Sequence, residues 1–278
     1  VKVYVTANIL AHNRDLEGAR EYFKELGEKV HPDALIISDP AIFTIAQEVL
    51  PEMELHVSTQ ANNINYRSAI KWYKMGATRV VLAREMSFKE IAEFQKKIPE
   101  DLELEAFIHG AMCISYSGRC LLSNYMTGRD SNMGACAHPC RWNYKLVEET
   151  RPGEYMDVFE NERGTFIFNS KDLCTIRHIP ELVQSGIASL KIEGRVKTSY
   201  YVATVVGAYR REIDRYCADP ENYVFNEAEY EELCKVSHRP YTTGFYFGKP
   251  DENSQVYTSS SYIRDYDLIG IVKSYDAE

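Results

Sequence analysis

Short runs of β-branched residues alternate along the chain with amphipathic helical patterns, and this alternation restricts the fold more than any other sequence feature. The runs lie at residues 2–8, 34–38, 54–59, 79–84, 102–110 and 189–194. Between them, apolar residues recur at three- and four-residue spacing in the segments 15–30, 40–50, 65–76 and 87–98. Such spacing is typical of helices that cover a sheet, and Ser87 with Glu90 forms a capping-box pattern. The alternation predicts an α/β fold built from βα units on a parallel sheet.

The number of strands favours a particular α/β architecture. Six strands are two fewer than a closed (β/α)8 barrel contains, and the chain opens directly on a strand. We therefore expect residues 1–217 to form a TIM-type barrel that lacks its first two βα units in this fragment. A long cysteine-rich insertion at about 111–188 would interrupt this barrel. Glycine-punctuated, β-rich residues over 218–278 predict a linker helix and the beginning of a small C-terminal β domain.

Polar residues follow the predicted strands at their carboxyl ends, the edge where barrel active sites are built. They are Asn8, Asp39, Thr59, Gln60, Arg84, Glu85, His109, Glu193 and Arg195. Any one of them could simply cap a neighbouring helix, but together they place acids, bases and amides around one opening. From this set we select His109, Glu193 and Arg195 as candidate catalytic residues.

Four cysteines crowd a stretch of 28 residues directly after the fifth strand, and a fifth follows in the same insertion. They are Cys113, Cys120, Cys136, Cys140 and Cys174. Thiolate sets of this kind suit zinc or an iron-sulfur cluster. Structural zinc favours two close cysteine pairs, and only Cys136 and Cys140 approach that spacing. The dispersed spacing favours an iron-sulfur cluster over zinc, while buried free thiols are the third alternative; Cys217 and Cys234 are assigned to that third class.

Charge and motif content exclude several broad classes of function. The net charge of -9 argues against a generic polyanion-binding protein. Residues 111–145 are nevertheless locally basic, with a net charge of +3. No HExxH, GxSxG or glycine-rich phosphate loop is present. No apolar run resembles a signal peptide or a membrane span, so we expect a cytoplasmic protein without a membrane partner.

A longer motif carries a resemblance to a known family. The run EAFIHGAMCISYSGRCLLSNYMTGRDSNMGACAHPCRW at 105–142 resembles the signature of the collagenase-like peptidase U32 family. The segments VKVYVTANIL, HVSTQANN and SLKIEGRVKTSYYVATVVGAYR look like the same family. Within it, SGRCLLS followed by GACAHPCRWNYKL is most similar to the branch that makes 5-hydroxyuridine at the wobble position of tRNA anticodons.

The resemblance implies a (β/α)8 barrel that binds a 4Fe-4S cluster through four cysteines and hydroxylates tRNA without molecular oxygen, drawing on prephenate. The family's ligand pattern carries over to Cys113, Cys120, Cys136 and Cys174. Cys140 is extra to this pattern, either as a neighbouring thiol or as a replacement for Cys136. Relatives that hydroxylate ribosomal RNA or the ubiquinone ring leave those substrates open as alternatives.

Partners follow from the same resemblance. We expect tRNA and prephenate as substrates, and a related partner subunit is a further expectation. Seven basic side chains are candidates to meet RNA phosphates or prephenate carboxylates, namely Arg119, Arg129, Arg141, Lys171, Lys191, Arg195 and Lys197. Tyr116, Tyr125 and Trp142 are candidate stacking surfaces for bases. A peptidase is the formal alternative, although the sequence shows no recognisable peptide-cleaving motif, and a zinc-stabilised RNA-binding scaffold is a third hypothesis.

Overall fold

A computed structural model describes residues 1–113, 115–116, 119–142, 146–147, 155–156, 169–249, 255–256, 262–270 and 274. The strands in these ranges are β1 (Tyr4–Ala7), β2 (Ala34–Ile37), β3 (Glu54–Val57), β4 (Arg79–Val81), β5 (Glu103–Gly110), β6 (Leu146–Val147), β7 (Tyr155–Met156), β8 (Asn169–Ser170), β9 (Asp172–Cys174), β10 (Ser189–Ile192), β11 (Tyr241–Thr242) and β12 (Gln255–Val256). The α-helices are α1 (Asn13–Glu25), α2 (Pro40–Val49), α3 (Tyr66–Lys74), α4 (Phe88–Gln95), α5 (Leu122–Thr127), α6 (Ile179–Gln184), α7 (Ser199–Ala218) and α8 (Glu227–Lys235).

The main sheet is dominated by parallel strands. Strands β1 to β5 lie side by side in chain order, and β10 pairs with β5 in the same direction. Strand β9 runs antiparallel to β5, and β11 runs parallel to β9. The predicted α/β class is therefore confirmed. No pairing joins β1 to β10 among the described residues, so the closed barrel stays a prediction.

The helices cover the sheet because their apolar stripes meet its buried faces. Phe23 of α1, Phe43 of α2 and Phe94 of α4 are at most 3% exposed and share one core with the strands. Local signals start these helices where the sequence indicates. The Asp39 side chain accepts from the amides of Ala41 and Ile42 at the start of α2. Ser87 and Glu90 form the predicted capping box of α4.

Residues on both sides of the predicted domain boundary at 217 contribute to shared cores. Tyr209 of α7 and Leu233 of α8 are buried in one cluster, and Tyr241 of β11 packs against it. Tyr246 belongs to the other core, and its hydroxyl donates to the carbonyl of Phe107, 2.5 Å away. Strand β11 thus extends the main sheet. The separate C-terminal β domain stays a prediction, because much of 250–278 lies outside the described residues.

A buried carboxylate ties three strands together. Glu105 of β5 is 4% exposed. It accepts from Lys191 Nζ at 2.6 Å, Ser189 Oγ at 2.8 Å and Arg79 Nη1 at 3.3 Å. Burial favours the neutral carboxyl, but the ammonium, hydroxyl and guanidinium together outweigh it and lower the pKa of Glu105 below its usual 4.5. The ionised form is therefore the one that holds β4, β5 and β10 in register.

We expect Glu105→Gln to destabilise the fold by about 3 kcal/mol at neutral pH, because two cations lose their buried partner. Since the folded pKa is lowered, the stabilisation is fully present above the unfolded pKa and is lost as the pH falls through the folded value. The difference from the wild type should be constant above about pH 5 and shrink below about pH 4.5 in urea unfolding.

Glu103→Gln is the matched control, because Glu103 pairs with the same Arg79 but its side chain is 49% exposed. It should change the free energy of unfolding by less than about 1 kcal/mol. An equal loss in the two variants, or a Glu105→Gln deficit that persists at low pH, would contradict this role for the buried carboxylate.

Candidate functional site

A cavity of about 910 Å³ opens at the carboxyl edge of the parallel strands. Its lining includes residues that follow β1, β3, β4, β5 and β10. Six of the nine predicted strand-end residues lie there, namely Asn8, Thr59, Gln60, Arg84, Glu193 and Arg195. The other three, Asp39, Glu85 and His109, are absent from the lining, and Asp39 instead caps α2. The described residues thus place a cavity at the edge where the sequence predicts a site.

The segment after β5 forms the opposite wall of this cavity and is fastened to the sheet by long-range hydrogen bonds. The Asn132 side chain accepts from Leu10 N at 2.9 Å and donates to Leu10 O at 3.2 Å. Arg119 Nε donates to Asn62 Oδ1 at 2.6 Å. Within the segment itself, Arg141 Nη2 donates to Met112 O at 3.2 Å. These bonds hold the cysteine-bearing segment over the strand ends.

Four of the seven cysteines line the cavity, namely Cys113, Cys120, Cys136 and Cys140. Cys113 is an exposed residue, but the atoms packed around its sulfur desolvate the thiol and raise its pKa; a hydrogen bond from the Ser115 backbone and the charge of Arg84 oppose this shift. Burial raises the pKa of Cys140 to about 11 despite the nearby Arg141. The four thiols therefore lie within electrostatic reach of one another. In the described part of the chain, no three Cys, His, Asp or Glu side chains converge closely enough to hold a metal ion as they stand.

Cys174 lies apart from these four cysteines. Strand β9 pairs antiparallel with β5 so that Cys174 stands opposite His109. This pairing puts the Cys174 side chain in the second core, the one that contains Tyr209 and Leu233. Cys174 is 7% exposed there, and the Tyr209 hydroxyl lies 3.9 Å from its sulfur. Burial raises its pKa to about 11. The structure thus brings three of the four predicted ligands together with Cys140, and it leaves Cys174 outside the cavity lining.

His109 is also placed away from the cavity. It is 1% exposed and lies among the rings of Tyr201, Tyr209 and Tyr241. Burial, together with the charges of Lys197 and His238, lowers the pKa of His109 to about 3, so the ring is neutral at physiological pH. The catalytic role predicted for His109 has no contact with the cavity to support it.

Glu193 and Arg84 form the charged pair of the cavity floor. Arg84 Nη2 lies 3.5 Å from Glu193 Oε2, and the Arg84 guanidinium lies 3.8 Å from the centroid of the Phe107 ring. Burial lowers the pKa of Arg84, and the Glu193 carboxylate opposes that shift. Glu193 Oε1 also accepts from the amide of Arg195 at 2.9 Å. This pair can bind or orient a polar substrate group, because it is held by packing as well as by charge.

The other predicted contact residues divide into two groups. Of the seven predicted basic residues, four line the cavity, namely Arg141, Lys191, Arg195 and Lys197, and three are absent from its lining, namely Arg119, Arg129 and Lys171. Tyr116, Tyr125 and Trp142 are exposed and absent from the lining, so a stacking role for them stays a prediction. Tyr262 lines the cavity without having been selected from the sequence. Only its spatial neighbours reveal it, since it lies far along the chain from the motif.

A parallel α/β protein with a cysteine-lined cavity at its strand ends is the class that fold and site define. The model of peptidase family U32 matches residues 1–256, and the chain belongs to this family. It is 45% identical over its whole length to tRNA hydroxylation protein P1 of Bacillus subtilis, covering 65% of that protein. It is 41% identical to tRNA hydroxylation protein P of Escherichia coli, with 88% of the chain and 61% of that protein covered.

One relative of the chain carries a name that indicates a different activity. The chain is 33% identical to a protein of Porphyromonas gingivalis named Collagenase, with 90% of the chain and 60% of that protein covered. The chain thus spans about 60 to 65% of the length of these relatives. Separately, none of the described helices has the length and apolar character needed to cross a membrane.

Gly110 provides a test of how the strand ends are assembled. Its φ is +112°, and a Cβ atom there would lie 2.5 Å from the carbonyl oxygen of Glu193. Gly110→Ala should therefore lower the free energy of unfolding by about 3 kcal/mol, through backbone strain and the clash together. Gly128 has a φ of +69° but open space around it, so Gly128→Ala should cost only about 1 kcal/mol in the same urea unfolding assay. Equal losses would show that the approach of Glu193 to Gly110 is not tight.

Proposed function

We propose that this chain forms the iron-sulfur-binding part of an RNA-modifying enzyme that hydroxylates the wobble uridine of tRNA anticodons to 5-hydroxyuridine, with prephenate as co-substrate. The observation that carries the proposal is the cavity itself, where four cysteines meet the arginine and lysine side chains of Arg84, Arg141, Lys191, Arg195 and Lys197 at the carboxyl edge of the parallel strands. The names of the Bacillus and Escherichia relatives support tRNA hydroxylation. An enzyme of this kind would act in the cytoplasm, where tRNA is found.

The donor chemistry of the cavity fits a 4Fe-4S cluster. Cys113, Cys120, Cys136 and Cys140 supply four soft sulfur ligands from one wall, the ligand type that iron-sulfur clusters require. In this proposal Cys140 replaces Cys174, the fourth ligand that the family resemblance implies, because Cys174 is buried in the core that contains Tyr209. When bound, such a cluster supplies one-electron redox chemistry at the cavity.

The residues around the cysteines can bind and orient anionic substrates. Arg84 and Glu193 offer a fixed charged pair for a polar group. Arg195 is exposed at the cavity and can meet an RNA phosphate or a carboxylate. A wobble base lies in an exposed single-stranded loop, so little pairing energy opposes its entry into a pocket.

The second candidate function is peptide cleavage, and the relative named Collagenase is the observation in its favour. A cysteine nucleophile needs a lowered pKa and a paired base. The thiols of Cys113 and Cys140 instead have raised pKa values. Cys113 and Cys140 therefore lack the activated thiolate that acyl transfer requires.

The cluster is tested by anaerobic purification of the intact protein, followed by iron, sulfide and zinc analysis and an absorption spectrum. We expect about four iron and four sulfide per chain, with broad visible absorption. Cys140→Ser should abolish both, whereas Cys174→Ser should retain them, since Cys174 does not line the cavity. Cys217→Ser is the control, because Cys217 is exposed on α7.

Two results would contradict the cluster. Zinc without sulfide would favour a structural metal site, and loss of iron in Cys174→Ser but not in Cys140→Ser would restore the ligand set inferred from the sequence.

The reaction itself is tested by nucleoside mass spectrometry of tRNA from cells that lack the protein. The intact gene should restore 5-hydroxyuridine and Cys113→Ser should not. Peptide cleavage that survives Cys113→Ser, without any change in tRNA, would favour the peptidase.

A further inference from the structure

Three cations surround one tyrosine ring at the side of the cavity. Lys197 Nζ lies 4.1 Å from the centroid of the Tyr262 ring, and the Arg239 guanidinium carbon lies 4.7 Å from it. Arg141 Nη1 donates to the Tyr262 hydroxyl at 2.9 Å. We call Arg141, Lys197 and Arg239, with the tyrosine between them, the Tyr262 cation cluster.

The positive charge of this cluster is poorly matched by its surroundings. Within the described ranges, no carboxylate lies within 4 Å of any of the three cations. Lys197 Nζ donates to the Ser237 carbonyl at 2.7 Å, and Arg239 Nη1 donates to the Ser170 carbonyl at 3.4 Å. Carbonyl oxygens satisfy hydrogen bonds, but they carry no compensating full charge.

Arg239 is the least solvated member of the cluster. It is 1% exposed, and its Nε has no hydrogen-bond partner among the described residues. A buried guanidinium nitrogen without an acceptor is costly, so such a group normally meets an anion or ordered water. Burial also lowers the pKa of Lys197 to about 8; Asp172 opposes the shift, and Arg141 and Arg239 add to it. The first observation marks a buried donor without an acceptor, and the second marks a desolvated ammonium close to it.

Asp172 is the carboxylate whose field reaches these cations. It influences both Lys197 and Arg239, and its Oδ2 accepts from the backbone amide of Arg239 at 3.2 Å. Among the described residues, one carboxylate against three cations leaves two positive charges uncompensated. A doubly charged anion would balance the cluster.

The cluster is accessible to a ligand because two of its cations and the tyrosine belong to the cavity lining. Arg141, Lys197 and Tyr262 all line it. Cys140 precedes Arg141 in the chain and lines the same cavity. A molecule in the cavity could therefore place an anionic end at the cluster and its remaining atoms towards the cysteines.

We propose that the Tyr262 cation cluster binds a doubly charged oxyanion, a dicarboxylate or a phosphate monoester, that enters through the cysteine-lined cavity. Arginine and lysine are the natural partners of both oxyanions. A phosphate within an RNA backbone carries a single charge, so it matches the cluster less well than a small dianion. The statement that this anion is part of the substrate rests on the proposed function; the statement that it binds does not.

The test is calorimetric titration of the intact, anaerobically purified protein with malonate and, separately, with inorganic phosphate. Ionic strength is held constant with sodium chloride, so that general screening does not imitate binding. We expect saturable binding of at least one of the two. Binding of malonate alone would identify a dicarboxylate site, and binding of phosphate alone would identify a phosphate site. Binding of both would show that the site recognises the double negative charge that the two anions share.

Lys197→Met and Arg141→Gln should each weaken binding about tenfold or more, since each removes a charge-assisted contact. Lys197→Arg should restore most of it. Arg177→Gln is the matched control, because Arg177 already pairs with Glu227 on the exposed surface; its affinity should stay within about twofold of the wild type. Circular dichroism and the melting temperature would confirm that each variant is folded. If Lys197→Met does not fold, Arg141→Gln provides the test of the site.

Absence of saturable binding to both anions, or equal binding in the charge-removing variants, would overturn the proposal. So would binding of a short single-stranded RNA at Lys197 and Arg141 with no binding of either small dianion. The outcome is separable from the proposed function. If the protein binds the dianion but does not hydroxylate tRNA, the binding site is upheld and the proposed function is rejected. If it hydroxylates tRNA but does not bind the dianion, the binding site is rejected and the proposed function is upheld.

Discussion

The cavity depends on strand β5, because this strand pairs with β4, β9 and β10 and carries the residues that fix their positions. Glu105 gathers a lysine and an arginine from the two neighbouring parallel strands. At the end of the strand, Gly110 allows the Glu193 carbonyl to approach more closely than any side chain would permit. Cys113 follows three residues later. The position of the Cys113 thiol therefore depends on the ionic contacts of Glu105 and on the close packing that Gly110 permits.

Much of this framework could be predicted from the sequence because its signals are local. A β-branched run at 34–38 becomes β2 (Ala34–Ile37), and the spacing of 40–50 becomes α2 (Pro40–Val49). Each depends on periodicity and on a cap within a few residues. The parallel order of the strands follows from the βα alternation, and six strand-end residues reach the cavity for the same reason. Closure of the barrel is different, since it depends on pairing that the described residues do not contain.

The composition of the site could not be predicted as well, because it depends on contacts between distant segments. Whether Cys140 or Cys174 faces the cavity is decided by the antiparallel pairing of β9 with β5, which buries Cys174 beside Tyr209. His109 is turned into the aromatic layer of α7 and β11 by the same part of the sheet. Tyr262 meets Arg141 across 121 residues of sequence. The close spacing of Cys136 and Cys140 indicates that they lie near each other. The sequence motif alone, however, does not favour Cys140 over Cys174 as a residue of the cavity.

The charges of the cavity and of the whole chain act at different ranges. The net charge of -9 opposes non-specific binding of a polyanion. Exposed charges further apart than about 8 Å are largely screened at physiological salt, whereas buried cations are screened much less. Lys197 and Arg239 therefore present a local positive field inside a chain that is acidic overall. Such an arrangement selects a small or locally inserted anionic group over a long polyanion. Under the proposed function, an RNA substrate would therefore be recognised at the nucleotide that enters the cavity.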